Sequence, residues 1–295
     1  MPVLHPASRP SRARVPAGER LPTPVMSEAA RLPREELALA LATGDLFIEG
    51  RLVAASNQTL RCKVTSVSGI DLLCVYKPVS GERPLWDFPD GHLAGREIAT
   101  FELARLAGWD VIPTTVWRDD GPAGPGMCQE WNKEDPSAGV VDLLPIDAEH
   151  PGWMSVLEGQ SGTGAPIRLV HADLEAVQEI ALLDAITNNS DRKGGHLLVD
   201  TAGRIWGIDH GLTFHEEDKL RSVLWGWSGV PIPPGLLANL RRLRAILDTS
   251  EAEVVTDWLT TAESRALKDR IDDLIAHGVF PLPSDDWPSI PWPVF

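Results

Sequence analysis

The chain has 295 residues, of which 43% are hydrophobic, and a formal net charge of −15 at pH 7. This length and apolar content suffice for a sizeable core in one large or two small domains. The acidic balance argues against nucleic acid or an anionic membrane as a partner, since both attract a basic surface.

The cysteine spacing and the apolar runs point to a cytoplasmic protein. Cys62, Cys74 and Cys128 are far apart and form no Cys-x-x-Cys pair, so neither a disulfide framework nor a zinc site is expected. No run approaches the ~18 apolar residues of a membrane span, and no secretory signal pattern opens the chain. We therefore expect a cytoplasmic location with no stable membrane insertion.

The predicted elements begin after a start of low complexity. Residues 1–25 are rich in Pro, Arg, Ser and Ala and are predicted to be a disordered basic tail, because they hold few large apolar side chains. Beyond the tail, Pro33 near a first turn, Leu37 and Leu41 one turn apart and a closing Gly44 predict a short helix.

Strands dominate the next stretch. Three runs of β-forming residues, 46–55, 59–67 and 70–79, are separated by short polar breaks and predict an antiparallel meander. A loop rich in Pro, Gly and Trp follows, and the apolar spacing of 93–108 predicts a helix. Residues 111–131 then indicate two strands around a turn.

The second half is predicted to be mainly helical. Residues 132–170 are rich in Gly and Pro and weakly patterned, which indicates an irregular connector. An apolar stripe over 172–187 predicts a helix, and helical patterns return at 236–247 and 251–277. Between these helices, residues 196–209 indicate a short apolar hairpin with polar ends.

Polar groups meet at the open end of this hairpin. If Ala202 and Gly203 are the central turn residues, His196 lies opposite Asp209, with Cβ atoms about 5 Å apart. Asp191 enters the same end. A lone buried carboxylate is costly unless it is paired or metal-bound, so the cluster suggests a site. An ordinary turn followed by a strand-exit cap is the alternative.

Four charged residues follow the order found in protein kinases. Lys77 lies in a predicted strand and Glu97 in the next helix, whereas Asp191 and Asp209 belong to the second half. This order resembles the phosphate-binding lysine, its glutamate partner, the catalytic-loop aspartate and the metal-binding aspartate of the protein-kinase-like superfamily. Phosphoryl transfer requires cations at the triphosphate and a carboxylate near the attacking hydroxyl.

Longer motifs are similar to the phosphatidylinositol 3- and 4-kinase branch of that superfamily. The segments "YKPVSGERPLWDFPDG", "NNSDRKGGHLL" and "IDHG" resemble a bacterial phosphatidylinositol 3-/4-kinase-like family over about residues 44–232. The resemblance implies a two-lobed α+β fold of the protein-kinase type. Its antiparallel-sheet N-lobe would span 27–130, and its mainly helical C-lobe 131–295.

The same resemblance implies an ATP- and metal-dependent phosphotransferase. Asp191 is the implied catalytic residue, and Asp209 and His196 are the implied ligands of Mg²⁺, with Mn²⁺ as the alternative ion. The implied ATP-binding residues are the lysine and its glutamate, two loop residues between the first strands, and two residues of the segment joining the lobes: Lys77, Glu97, Ser56, Asn57, Glu130 and Trp131.

One position departs from the family pattern. Five residues after Asp191, lipid kinases have a metal-binding Asn, whereas this chain has His196. Histidine suits Mn²⁺ or softer ions better than Mg²⁺. The departure leaves a catalytically weak nucleotide-binding pseudokinase or scaffold as the alternative.

The acceptor is expected to be a hydroxyl of a protein or small molecule. Residues 219–231 follow Asp209 where an activation segment would shape the acceptor site. A role in the aromatic core is favoured for Trp225 and Trp227, with a place in the lining of the acceptor site as the alternative. The oligomeric state is left open.

A metal-dependent hydrolase is the less favoured reading of the second half. Its ligands would come from a set of histidines and aspartates: His171, Asp173, His196, Asp209, His210 and His215. No His-Glu-x-x-His motif or helical His-Asp pair is present. A serine hydrolase is disfavoured as well, because "GQSG" and "GWSG" lack the Gly-x-Ser-x-Gly elbow.

Overall fold

A five-stranded sheet precedes a mainly helical half in the computed structural model, which describes residues 32–52 and 57–295. The predicted α+β class, with an antiparallel sheet first and helices after it, is confirmed. The tail predicted at 1–25 and the candidate residue Ser56 lie outside the described residues.

Among the residues that the structure describes, the sheet-rich half has two α-helices and five strands. In chain order these are α1 Arg34–Thr43, β1 Leu46–Arg51, β2 Leu60–Thr65, β3 Asp71–Pro78, α2 Leu93–Ala107, β4 Thr115–Gly121 and β5 Gly124–Glu130. Neighbouring strands are antiparallel, in the order β1-β2-β3-β5-β4. The predicted meander, the helix after it and the later strand pair are therefore confirmed.

The two faces of this sheet pack against different helices. One face contacts Leu37 and Leu41 of α1 and holds the three cysteines, which are buried and free. The other face packs on α2 through Met127. Lys77 pairs with Met127 across β3 and β5, so strand alternation places the lysine side chain on the α2 face.

The second half contains a three-stranded sheet, a hairpin and four helices. These elements are β6 Val141–Pro145, β7 Trp153–Gln160, β8 Pro166–Ala172, α3 Glu175–Thr187, β9 Leu197–Val199, β10 Ile205–Gly207, α4 Pro234–Ile246, α5 Glu253–Thr256 and α6 Thr261–His277. The helices predicted at 172–187, 236–247 and 251–277 are confirmed, the last as two helices. Within the described ranges, no helix combines the length and apolar character needed to cross a bilayer.

The prediction of an irregular connector at 132–170 is wrong. Strands β6, β8 and β7 form an antiparallel sheet in that order. A bulge between Ser155 and Leu157 interrupts the alternation of β7, and only one of its eight residues is buried. Because a bulge breaks the two-residue period, the pattern from which a strand is predicted is lost.

Helix α2 belongs to both halves of the molecule. Its Phe101 and Leu103 enter the core formed with α3, α4 and α6, in which Ile180, Leu240 and Ile271 are buried. Each fully buried side chain of this kind stabilises the fold by about 1.5–3 kcal/mol. The helix that carries Glu97 is therefore held firmly between the sheet and the helical half.

Candidate active site

Lys77 joins three elements of the fold. Its Nζ lies 2.5 Å from Glu97 Oε1 on α2 and 2.9 Å from Asp209 Oδ1, which follows β10. The lysine and glutamate side chains are 19% and 3% exposed, whereas that of Asp209 is 51% exposed. A cation from the sheet and a half-exposed carboxylate from the helical half are thus in direct contact.

The charges in this group shift one another's protonation. Burial by itself would lower the pKa of Lys77, but the charges of Asp209 and Glu97 outweigh burial and raise it. The charge of Lys77 in turn holds the pKa of Asp209 far below its ordinary value. Burial raises the pKa of Glu97, against the opposing effect of Lys77. Lys77 is therefore a cation and Asp209 an anion at neutral pH.

The hairpin that leads to Asp209 is shifted by one residue from its predicted register. Ile208 N donates to His196 O at 3.0 Å, so Ile208 pairs with His196. The physical reason is the turn: Asp200 N donates to Arg204 O, which leaves a three-residue loop with Gly203 at φ 80°. The prediction of a two-residue turn at Ala202 and Gly203 is therefore wrong.

His196 nevertheless meets Asp209, as expected from the polar ends of the hairpin. Asp209 has φ 60° just beyond the strand pair, and its Oδ2 lies 3.5 Å from His196 Nε2. Burial lowers the pKa of His196, although Asp209 opposes that shift. The ring is therefore neutral at pH 7, and one of its two nitrogens carries a lone pair that can bind a metal.

These two groups suit a divalent ion. An ionised carboxylate oxygen and a neutral imidazole nitrogen that lie side by side are both metal ligands. Among the described residues, no group of three or more His, Cys, Asp or Glu side chains is arranged to hold a metal. Two such groups would fit an ion that takes its other ligands from phosphate oxygens and water.

Asp191 lies in the loop between α3 and β9. Its Oδ2 accepts from Lys193 Nζ at 2.8 Å, and its Oδ1 lies 3.9 Å from Arg221 Nη2. The charge of Asp191 acts on His196 and raises the pKa of that ring against burial. Asp191 therefore lies close to the candidate metal ligands, with cations on either side of its own carboxylate.

Two residues of the segment that joins the sheet to the second half lie on different faces. Glu130 pairs with Cys74, and Cys74 belongs to the face that packs on α1, so the Glu130 side chain lies opposite Lys77. Its backbone N–H donates to Thr114 O at 2.8 Å, and a contact of Glu130 with a nucleotide stays a prediction. Trp131 lies under Arg61, 5.3 Å from Cζ to the ring centroid, on the face shared with Lys77.

Asn57 is the described residue of the predicted phosphate-covering loop. Its Oδ1 accepts from Arg83 N at 3.0 Å, and the adjacent Gln58 N donates to Gly81 O. These bonds hold Asn57 and Gln58, which precede β2, against the segment that follows β3. In the described ranges the Asn57 side chain makes no bond to Lys77, so its contact with a nucleotide stays a prediction.

The two tryptophans considered for the acceptor site lie in different surroundings. Trp227 is 2% exposed, stacks on Phe280 and donates from Nε1 to Asp173, so it belongs to the core, the role that the sequence favours for it. Trp225 is half-buried and lines a cavity of about 370 Å³ beside α6, together with Arg270. A role for Trp225 in acceptor binding stays a prediction.

The positions of the histidines do not support the hypothesis of a metal-dependent hydrolase. His171 is fully buried, and its Nε2 accepts from Gly226 N. His210 accepts from Arg192, whereas His215 packs edge-on against Phe88. These rings are dispersed through the second half and do not converge on one ion.

Sequence reasoning missed two buried charges that support the site. Arg192 and Asp184 are 0% and 1% exposed and form a bidentate ion pair, with N–O distances of 2.7 and 2.9 Å. Asp184 interrupts the apolar stripe of α3, and Arg192 directly follows Asp191. A charged residue at a core position of a helix was the available signal, because such a charge requires a partner.

Comparison with known proteins supports the fold. No protein-family model matches the chain. The structure of the Golgi casein kinase with Mn/ADP bound superposes with a TM-score of 0.51 at 15% identity, covering 83% of this chain and 75% of that one. The kinase CtkA of Helicobacter pylori gives a TM-score of 0.40 at 10% identity, covering 81% of this chain and 94% of that one. The likeness to the Golgi kinase shows a protein-kinase-like fold, as predicted.

A relative in sequence places the chain in a family. Protein Rv2133c of Mycobacterium tuberculosis (strain ATCC 25618 / H37Rv) is 43% identical over 272 residues, which cover 89% of this chain and 96% of that protein. Identity at this level over nearly the whole of both chains shows common membership. The chain belongs to the family of Protein Rv2133c and has a protein-kinase-like fold.

Proposed function

We propose that the chain is an ATP- and divalent-metal-dependent phosphotransferase of the phosphatidylinositol 3-/4-kinase-like type. The observation that carries this proposal is the bridge made by Lys77, whose Nζ contacts Glu97 and Asp209 at once. The Golgi casein kinase that shares the fold has Mn and ADP bound. In our proposal an N-lobe of residues 27–130 and a C-lobe of residues 131–295 enclose the nucleotide.

Each charged group has a role in this proposal. Lys77 binds phosphate oxygens, and Glu97 holds the lysine in place. Asp209 and His196 hold a divalent ion, Mg²⁺ or Mn²⁺, which when bound neutralises charge on the phosphate oxygens. Asp191 orients the acceptor hydroxyl and accepts its proton. The oxygen of that hydroxyl then bonds to the terminal phosphorus, and the bond from this phosphorus to the bridging oxygen of ADP breaks.

The acceptor class is proposed from charge. The chain carries a net charge of −15, and attraction to anionic lipid surfaces requires clusters of basic residues. A hydroxyl of a cytoplasmic protein or small molecule therefore suits this chain better than an inositol lipid, despite the resemblance to lipid kinases. No nucleic acid is expected as a partner.

Calorimetric titration with ATP and Mg²⁺ or Mn²⁺ tests the proposal. Lys77→Ala and Asp209→Asn should lose nucleotide affinity. Lys63→Ala is the matched control, because Lys63 lies on the neighbouring strand and forms an exposed pair with Asp71; it should bind as the wild type does. Equal binding by all these proteins would overturn the assignment.

Transfer is measured separately from binding. Incubation with γ-labelled ATP should yield labelled protein by autophosphorylation or release of labelled phosphate by hydrolysis. Nucleotide binding without either product would identify a pseudokinase or scaffold, the alternative that His196 leaves open.

A further inference from the structure

Arg192 has every N–H of its guanidinium bonded inside the protein. Nε and Nη2 donate to the two carboxylate oxygens of Asp184 at 2.7 and 2.9 Å. Nη1 donates to Ile208 O at 2.9 Å and to His196 O at 3.3 Å. The second N–H of Nη2 points at His210 Nε2, 2.6 Å away. A guanidinium has five N–H groups, and these contacts use all of them.

The contacts of Arg192 surround the two candidate metal ligands. One acceptor is the carbonyl of His196, and two others belong to Ile208 and His210, the residues on either side of Asp209. Asp184 anchors the guanidinium to α3, which packs in the helical core. A single buried side chain thus ties both ligand-bearing segments to a fixed helix.

Asp209 needs such support. Its φ of 60° is uncommon for a residue other than glycine, and a conformation of this kind persists only where the surroundings hold it. The carboxylate itself is half exposed and contacts Lys77, so solvent-side contacts alone do not fix its direction. The bonds from Arg192 to both neighbours constrain the backbone on each side of it.

The contact between Arg192 and His210 determines which ring nitrogen of His210 carries the hydrogen. Arginine has no acceptor atom, so His210 Nε2 accepts and its proton sits on Nδ1. The ring is therefore a neutral acceptor that receives the fork of Arg192. A lysine at position 192 would have one ammonium with three N–H groups and could not reproduce this planar set of contacts.

We propose that Arg192 is a positioning residue that holds His196 and Asp209 at the separation at which both bind one divalent ion. This inference rests on the function proposed above. It adds that metal binding by the two ligands requires the hydrogen bonds of the Arg192 guanidinium. A purely structural ion pair would instead support folding and leave metal binding unchanged.

The test compares the affinity for ADP in Mn²⁺ with the affinity in EDTA, by calorimetry on the full chain. Arg192→Lys should keep the affinity in EDTA within about twofold, because Lys77 is untouched. The gain in affinity from Mn²⁺ should fall by about 10- to 100-fold, the usual effect of removing support behind a metal ligand. The spectrum of bound Mn²⁺ in electron paramagnetic resonance should broaden or vanish.

Arg118→Lys is the matched control. Arg118 is 3% exposed and donates to Leu41 O and Gly44 O, which joins β4 to the end of α1 on the sheet face opposite to Lys77. This variant should unfold at a lower temperature and keep the full gain from Mn²⁺. If Arg192→Lys also keeps the full gain, the positioning role is refuted.

Two further variants keep the outcomes distinct. If Arg192→Lys does not fold, His210→Ala removes one acceptor of the fork and leaves the pair with Asp184; it should lose part of the Mn²⁺ gain, and an unchanged gain would refute the inference. Asp209→Asn tests the proposed function itself. Loss of the gain in Asp209→Asn but not in Arg192→Lys would refute the positioning role alone, whereas no loss in either would refute the metal site.

Discussion

Arg96 Nη2 and Glu263 Oε1 lie 2.6 Å apart in the buried boundary between α2 and α6. The two side chains are 3% and 10% exposed. Arg96 also donates to Thr213 O and Asp90 O. The residue next to Glu97 therefore fixes the glutamate-bearing helix to the helical half, so the position of the Lys77–Glu97 pair also depends on this buried contact with α6.

Arg96→Met should reduce the free energy of unfolding by about 3–5 kcal/mol, because it leaves the Glu263 carboxylate buried without its partner. Urea unfolding measures the effect. Arg105→Met is the control on the same helix, since Arg105 pairs with Glu102 at the surface and such pairs contribute about 0–1 kcal/mol. Equal losses in both variants would show that the buried pair has no special weight.

Asp191→Asn should separate binding from transfer. The amide keeps the shape of the carboxylate but cannot accept the proton of the acceptor hydroxyl, so the rate of transfer should fall by about 10²- to 10⁴-fold. Affinity for ATP should change less than about threefold, because the carboxylate contacts Lys193 and Arg221 rather than Lys77. A rate equal to that of the wild type would exclude Asp191 as the proton acceptor.

His196→Asn should change the preferred metal. The substitution restores the oxygen ligand of lipid kinases and removes the imidazole nitrogen that lies 3.5 Å from Asp209. Because Mg²⁺ prefers oxygen ligands and Mn²⁺ also accepts imidazole, the ratio of ATP affinity in Mn²⁺ to that in Mg²⁺ should fall. An unchanged ratio would mean that His196 is not a ligand.

The order of charged residues along the chain sufficed to predict the group around Lys77. Strands and helices bring together residues up to 132 positions apart, and the motif order anticipated this for Glu97 and Asp209. The register of the hairpin was not predictable, because residues 201–204 are compatible both with a two-residue turn and with a three-residue turn that ends at Gly203. Arg192 was missed because its importance lies in five acceptors drawn from separate segments.

The free energy of unfolding of Glu179→Gln should increase relative to that of the wild type as pH rises. Burial, then the charges of Glu175 and Asp110, raise the pKa of Glu179 to about 7. The folded state thus binds more protons than the unfolded state between pH ~4.5 and 7, so stability due to this group is lost as pH rises. Denaturant unfolding of both proteins from pH 5 to 8 gives the difference, and parallel curves would contradict the shift.

His171 should make stability depend on pH in the opposite direction to Glu179, because burial lowers the pKa of His171 to about 4. The variant His171→Asn tests this. In the wild type, His171 Nε2 accepts from Gly226 N, so Nδ1 donates to Ala172 O and the ring is neutral. Between pH ~6.5 and 4 the unfolded state binds the extra proton, so wild-type stability falls as pH falls, by up to about 1.4 kcal/mol per pH unit.

The asparagine variant should lose this contribution to the pH dependence. At pH 7.5 we expect it to be less stable than the wild type, because the smaller side chain leaves space beside Trp227, whose ring centroid lies 4.2 Å from that of His171. As pH falls from 6.5 toward 4, the two unfolding free energies should converge. Carboxylates titrate in both proteins and largely cancel in the difference, so a constant difference over this range would show that His171 does not gain a proton on unfolding.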